Sequence, residues 1–190
     1  MALSNDRFIT LDIFRGMTIC FMIIVNSPGS GAVQWAPLDH AAWFGFTPTD
    51  LVFPSFLFAV GNALSFSKKK FESDATFLGK IFKRTVIIFL LGYLMYWFPF
   101  IHRQEGAWVF SSISGTRIMG VLQRIALCYF FAALIVHYCS KKVALLISVI
   151  LLLGYWTLLL LFGNGGQELT MLGNAGTRLD LLILGDAHLY

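Results

Sequence analysis

Charge is what this chain has least of: 13% of its 190 residues are Asp, Glu, Lys or Arg, while 57% are hydrophobic. Soluble domains carry about 25% charged residues, so the composition excludes an ordinary water-soluble globule and points to membrane helices. Cysteine is also sparse. Cys20, Cys128 and Cys139 show no C-x-x-C spacing; two fall in apolar runs and one at a run's end. They read as small packing residues, which excludes a disulfide framework or a zinc set, and no metal site is expected. No Asn-x-Ser/Thr acceptor occurs, since Asn26-Ser27 is followed by Pro28; this favours a prokaryotic source. No small-residue cleavage site follows the first apolar stretch, which itself contains Asp12 and Arg15, so it reads as a retained helix rather than a signal peptide. No repeat is visible, and no strand-like alternation competes with a helical reading.

What is present is a series of apolar runs, each near the roughly 20 residues that cross a hydrocarbon layer. Five spans are expected, at about 8–26, 49–66, 81–100, 118–138 and 143–162. The fifth contains no charge. The second is short and opens with Asp50 and Pro54, a proline tolerable near a helix start because the early amide protons lack partners anyway. The predicted fold is all-α, a polytopic transmembrane helix bundle. Residues 163–176 are rich in Gly and Asn and read as loop, and 179–184 is apolar but too short to span. The expectation is the amino-terminal part of a longer membrane protein, with 163–190 a non-cytosolic loop and the start of a further element.

Basic residues set the orientation. Arg7, Lys68, Lys69, Lys70, Lys80, Lys83, Arg84, Lys141 and Lys142 fall on one side, against Arg103, Arg117 and Arg178 on the other. The amino terminus is therefore predicted cytoplasmic, with His40, the linker from His102 to Arg117 and everything after Phe162 outside the cytosol. This clustering explains the net charge of +4 by topology, and no nucleic-acid partner is expected.

Against this apolar background a few polar residues stand out. Asp12 and Arg15 lie in the first run, Gln123 and Arg124 in the fourth, and His40 in a short aromatic linker between the first two. Ionisable groups in hydrocarbon cost roughly 2.5–3.5 kcal/mol each on insertion scales, so a chain that keeps several uses them. At about 100° per residue, Asp12, Arg15 and Asn26 fall within roughly 60° of one another on one helix. On the fourth run Arg117, Gly120 and Arg124 have i, i+3, i+7 spacing, which predicts a shared face toward the interior. The plain alternatives are an intramembrane Asp12–Arg15 ion pair that only locks the first helix, lysines at 68–70 that only anchor topology, and His137 and His102 as ordinary interfacial and loop residues. His40 is flanked by Trp35, Trp43 and Phe44, which an interfacial aromatic belt alone would also produce.

Four blocks in order carry a family resemblance. Leu11-Asp12-Ile13-Phe14-Arg15-Gly16 runs on to Val25-Asn26. Leu38-Asp39-His40-Ala41-Ala42-Trp43 leads to Gly45-Phe46-Thr47-Pro48-Thr49-Asp50-Leu51-Val52-Phe53-Pro54. Arg117 to Gly120 precedes Val121-Leu122-Gln123-Arg124, and Arg178-Leu179-Asp180 leads to Gly185-Asp186-Ala187-His188-Leu189-Tyr190. Together they resemble the heparan-α-glucosaminide N-acetyltransferase family of transmembrane acetyltransferases, here as the front half of a bacterial inner-membrane homologue. The resemblance implies transfer of acetyl from cytosolic acetyl-CoA, as co-substrate, to the amine of an amino sugar or glycan end across the lipid bilayer. It places the active histidine at His40 and a functional asparagine at Asn26, and it implies a homodimer.

The residue types suit that reaction. An amino-sugar nitrogen must lose a proton before attacking a thioester, and an imidazole is suited to take it; the imidazole could instead carry the acetyl group as an acyl-imidazole. Asn26 could bond the thioester oxygen or orient the imidazole. Asp39 or Asp50 could hold the imidazole tautomer. Arg15, Arg124 and Gln123 are candidates to bind CoA: Arg15 with the basic linker for its phosphates, and Arg124 as a deep cation that could equally pair with an acid on an adjacent helix. The competing classes are a secondary transporter of a sugar or small anion, a membrane O-acyltransferase of glycans, and a non-catalytic subunit.

Overall fold

The computed structural model describes residues 9–27, 35–67, 73–104 and 106–188. Arg7, the lysines at 68–70 and the closing Leu189-Tyr190 lie outside the described residues. Most of the described residues are helical, and the chain divides into two units, Met1–Lys70 and Phe71–Tyr190.

The first unit contains α1 (Ile9–Asn26) and α2 (Val52–Ser67). The two helices pack through Phe14 and Phe58, whose rings meet edge-on at 6.1 Å. Thr18, Val25, Ala59 and Leu64 are buried beside them. Thr18 spends its hydroxyl on the Phe14 carbonyl at 2.8 Å, which makes a polar side chain tolerable inside an apolar helix. Between the helices lie two short 3₁₀ turns, Ala36–Leu38 and Pro48–Leu51. Buried Thr49 ties them, donating to the Pro37 carbonyl at 3.3 Å. The second expected span, 49–66, thus begins later, at Val52, because Pro48 to Leu51 are wound as a 3₁₀ turn.

The second unit is organised around α3 (Asp74–Trp97) and α4 (Val121–Tyr138). α3 starts well before the expected residue 81. The Ser73 hydroxyl caps it by accepting from the Thr76 amide at 3.3 Å, and the charges that follow do not interrupt the helix. Phe77, Ile81, Thr85 and Gly92 form its buried stripe, facing Gln123, Ala126 and Ala133 on α4. At the end of that seam His137 stacks on Phe77, with ring centroids 3.8 Å apart, and bonds Asp74 at 2.8 Å. His137 is therefore a helix-pairing residue, more than the interfacial group its position suggested.

After α3 the chain leaves the helix at Phe98, ahead of Pro99, which disfavours helical backbone in the residue before it. It then forms an antiparallel hairpin of β1 (Ile101–Gln104) and β2 (Ala107–Phe110). The expectation of an all-α chain is corrected by this small sheet. Strands of four residues are too short to show an alternation in sequence, and His102 lies on β1 rather than in a loop. α5 (Lys141–Phe162) matches the fifth expected span closely and is followed by α6 (Ala175–Leu184), ten residues long. Arg178 reaches back to the carbonyl of Phe162, at 3.0 Å, and so supplies a cation to the carboxyl end of α5. A final turn, Asp186–His188, returns to the segment before α4, where His188 bonds the Thr116 carbonyl at 2.8 Å.

Among the described residues three helices, α1, α4 and α5, are long and apolar enough to cross a membrane. α2, with 16 residues, rises about 24 Å, against a hydrocarbon layer of about 30 Å. α3 is longer but carries Asp74, Lys80, Lys83 and Arg84 in its first half.

Candidate active site

The site is built on the loop that joins α1 to α2. His40 follows the first 3₁₀ turn and Asp50 lies in the second. The chain between them must reverse, and Gly45 makes that possible. Its φ is +133°, a region L side chains rarely adopt, and a Cβ there would sit 3.3 Å from the Ala41 side chain.

The reversal brings His40 Nδ1 to 2.7 Å from Asp50 Oδ1. The other carboxylate oxygen is held by the loop itself: the Thr47 amide donates to Oδ2 at 2.9 Å and the Ala41 amide at 3.4 Å, while the single Thr47 hydroxyl proton is shared between Oδ2 at 3.0 Å and the Asp39 carbonyl at 2.7 Å. These donors hold the Asp50 carboxyl down to about 2, the His40 bond contributing most and the Thr47 amide next. Asp50 is thus ionised at any physiological pH. An ionised carboxylate only accepts hydrogen bonds, so Nδ1 carries the proton and Nε2 of the neutral ring keeps its lone pair. The imidazole is 70% exposed, which leaves that lone pair reachable. Of the two acids considered as orienting groups, the imidazole bonds Asp50; Asp39 contributes its backbone carbonyl, which accepts from Thr47 Oγ1 at 2.7 Å.

The other expected site residues are placed as follows. Asn26 is the last residue of α1 and donates through Nδ2 to the Met22 carbonyl at 2.9 Å. Among the described residues no hydrogen bond joins it to His40. Arg15 and Asp12 approach at 3.9 Å, each about two-fifths exposed, so the pair anticipated on α1 is present but loose. Gln123 and Arg124 lie in the first turn of α4 on different flanks: Gln123 is fully buried, Arg124 exposed. This corrects the predicted Arg117–Gly120–Arg124 stripe. α4 begins only at Val121, so Arg117 belongs to the preceding segment, where its guanidinium lies over the Tyr96 ring at 5.4 Å. The face turned to α3 belongs to Gln123. Among the described residues no group of three or more His, Cys, Asp or Glu is placed to hold a metal ion.

Two contributors escaped the sequence reading. Thr47 is one, although Thr-Pro-Thr-Asp has the spacing of a side chain reaching back to a turn's first amide. Gly92 is the other. It has no mark in sequence, yet a Cβ there would come within 2.7 Å of Gln123 Oε1.

A family model described as heparan-alpha-glucosaminide N-acetyltransferase, catalytic, matches residues 7–175. The chain belongs to the heparan-alpha-glucosaminide N-acetyltransferase family. A human protein named heparan-alpha-glucosaminide N-acetyltransferase is 29% identical over 226 aligned residues, covering 97% of this chain and 32% of its own length. The mouse protein of the same name is 27% identical over 229 residues, covering 98% of this chain and 33% of its own length. The chain thus spans about a third of the length of the curated relatives it matches. The heparan-alpha-glucosaminide N-acetyltransferase match takes in the His40 loop, the Gln123-Arg124 turn and all of α1 to α5. It identifies a transferase family, and with three helices apolar enough to cross a bilayer it indicates an integral membrane protein.

Proposed function

We propose that this chain carries the base of a membrane-embedded acetyltransferase that moves acetyl from cytosolic acetyl-CoA to the amine of a non-cytosolic amino sugar or glycan end. The observation that carries the reading is the 2.7 Å bond between His40 and Asp50. It presents a proton-accepting Nε2 on an exposed ring, within a family named for transfer of acetyl to an amine.

In the proposed reaction the amine nitrogen attacks the thioester carbon. The C–N bond forms, the C–S bond breaks, and the electron pair leaves on the CoA sulfur. The proton given up by the amine passes to His40 Nε2 and then to that sulfur. Asp50 holds the ring in the required tautomer and balances the imidazolium formed in between. Direct transfer is preferred over an acyl-imidazole because it demands one geometry rather than two. Asn26 has two amide N–H groups; one bonds Met22 and fixes the side chain, leaving the second for the thioester oxygen. Arg15 is proposed for the CoA phosphates; Arg124, in the first turn of α4, falls at the non-cytosolic end when the amino terminus is cytoplasmic and is not assigned to them. Gln123, enclosed against Gly92, is better suited to pairing α3 with α4 than to meeting a co-substrate.

The proposed topology has five membrane segments, α1 to α5, in a bacterial inner membrane with the amino terminus in the cytoplasm. α2 and the part of α3 from Ile81 onward serve as the two shorter crossings, with Lys83 and Arg84 extended toward the cytoplasmic interface. The basic residues of the α3 and α5 starts support this orientation.

The test uses the full-length protein with radiolabelled acetyl-CoA and a panel of amino sugars and hydroxyl sugars. The expected outcome is an amide product and its loss in His40→Ala, by at least about 10²-fold if His40 is the general base. An ester product would assign an O-acyltransferase instead. Substrate flux without acetyl-CoA, unaffected by a polar neutral residue at position 40, would assign a transporter.

A further inference from the structure

The β1–β2 hairpin has two unlike faces. Side chains directly opposite across an antiparallel pair share a face, as do residues two apart on one strand. The pairs Ile101↔Phe110 and Arg103↔Trp108 therefore gather two large rings, an isoleucine and one cation on one side. His102↔Val109 and Gln104↔Ala107 make up the other. Trp108 is 74% exposed and Phe110 is 73% exposed. Large apolar groups bared together mark a surface that meets something apolar.

The hairpin is braced, not loose. The Trp97 indole N–H, on the last residue of α3, donates to the Ser111 carbonyl at 2.9 Å. The Ser111 amide donates to the Phe100 carbonyl at 2.9 Å, and its hydroxyl bonds the Pro99 carbonyl. Both ends of the ribbon are thus fixed to the carboxyl end of α3. The exposed apolar flank of that helix, with Leu91, Leu94 and Met95, runs without a charge into Phe98, itself 71% exposed. Apolar exposure therefore continues along the chain from the helix into the ribbon.

We propose that the Ile101–Trp108–Phe110 face rests in the headgroup layer of the leaflet that the carboxyl end of α3 reaches, with Arg103 meeting lipid phosphates. Indole rings favour that layer. An arginine among apolar groups suits it too, since the stem lies on acyl carbon while the head bonds phosphate oxygen. A carbohydrate platform would set several donors and acceptors beside the rings, whereas among the described residues of this face Arg103 alone is polar. The inference stands apart from the acetyl-transfer reading; it rests on the uncharged half of α3 lying in hydrocarbon.

The test places single spin labels, in full-length protein reconstituted in phosphatidylcholine–phosphatidylglycerol nanodiscs, at Trp108→Cys and Phe110→Cys on one face and Gln104→Cys and Ala107→Cys on the other. Cys20, Cys128 and Cys139 are replaced beforehand. The expected result is a shift of the collision ratio toward lipid-soluble oxygen at 108 and 110, and toward a water-soluble nickel chelate at 104 and 107. The unlabelled protein supplies a second readout: brominated lipid should quench a fluorescence component that Trp108→Phe loses. Equal accessibility on both faces would overturn the proposal. So would protection at 108 and 110 that appears only when a chitooligosaccharide is added, which would make the face a sugar platform.

Discussion

Thr47 and Asp50 divide the work of one carboxylate. Thr47 holds Oδ2 through its amide at 2.9 Å and through a hydroxyl proton at 3.0 Å that it shares with the Asp39 carbonyl, and so leaves Oδ1 free for His40 at 2.7 Å. The orienting acid is itself oriented by the turn that precedes α2. A histidine in an exposed linker thereby gains a fixed tautomer without being buried.

That division makes Asp50→Asn informative. An asparagine keeps the shape but removes the charge and need not present an acceptor to Nδ1. In the serine protease triad the equivalent change lowers kcat by about 10⁴ through the wrong tautomer; a loss of about 10²–10⁴ in kcat with little change in KM is expected here. A change confined to KM would remove Asp50 from the chemistry. Thr47→Val should give a smaller loss of the same kind.

The pH dependence follows from the depressed Asp50 carboxyl. It titrates near 2 in the folded protein against an ordinary 3.8, so the unfolded chain takes up the proton first as pH falls. The contribution of Asp50 to the loop is complete above the ordinary value and is lost as pH drops through the folded one. Between pH ~5 and ~8 its charge is constant, and any change of rate there belongs to another group. Isotope-edited infrared spectra of the Asp50 carboxylate should stay unchanged across that interval.

Gly45→Ala is expected to disturb the loop and little else. The residue would face both an unfavourable φ of +133° and a contact at 3.3 Å from Ala41. A left-handed conformation costs an ordinary residue roughly 1–2 kcal/mol. Acetylation should fall with helical circular dichroism retained. Normal turnover would show that the loop can close by another path.

The seam between α3 and α4 yields a paired prediction. Gly92→Ala would push a methyl within 2.7 Å of both Gln123 Oε1 and Leu122 Cβ, an overpacking worth roughly 1–3 kcal/mol, and should lower the thermal midpoint. Gln123→Leu removes a buried amide whose nitrogen and oxygen have no hydrogen-bond partner among the described residues. Such a replacement is often neutral or stabilising, so the midpoint should hold or rise. If Gln123→Leu instead keeps stability and abolishes acetylation, the amide has a chemical role.

Legibility in the sequence followed chemistry closely. α5, without a charge after Lys142, matched its expected span to within two residues at its start, because a run of roughly 20 uncharged, largely apolar residues has few alternatives. α3 was harder. Its charged first half looks like a loop to any reading of hydropathy, yet Ser73 caps it and the helix simply extends beyond the apolar stretch. The start of α4 was misjudged by three residues, enough to move Arg117 off the helix and to break the expected stripe. The hairpin was missed because its faces are defined by pairing with the opposite strand, and pairing is not a property of four residues.

The sequence by itself determined that this is a helical membrane protein and where its unusual polar residues lie, since composition and apolar run length fix which segments favour lipid. It also marked His40 as worth attention. Only the tertiary structure decided that the imidazole pairs with Asp50 rather than Asp39, that Gln123 and not Arg124 faces α3, and that the residues after α3 form a two-faced ribbon. The reason is that helix formation depends on neighbours a few positions apart. A hydrogen bond across ten residues depends on how a turn, a glycine and a threonine bend the chain back on itself.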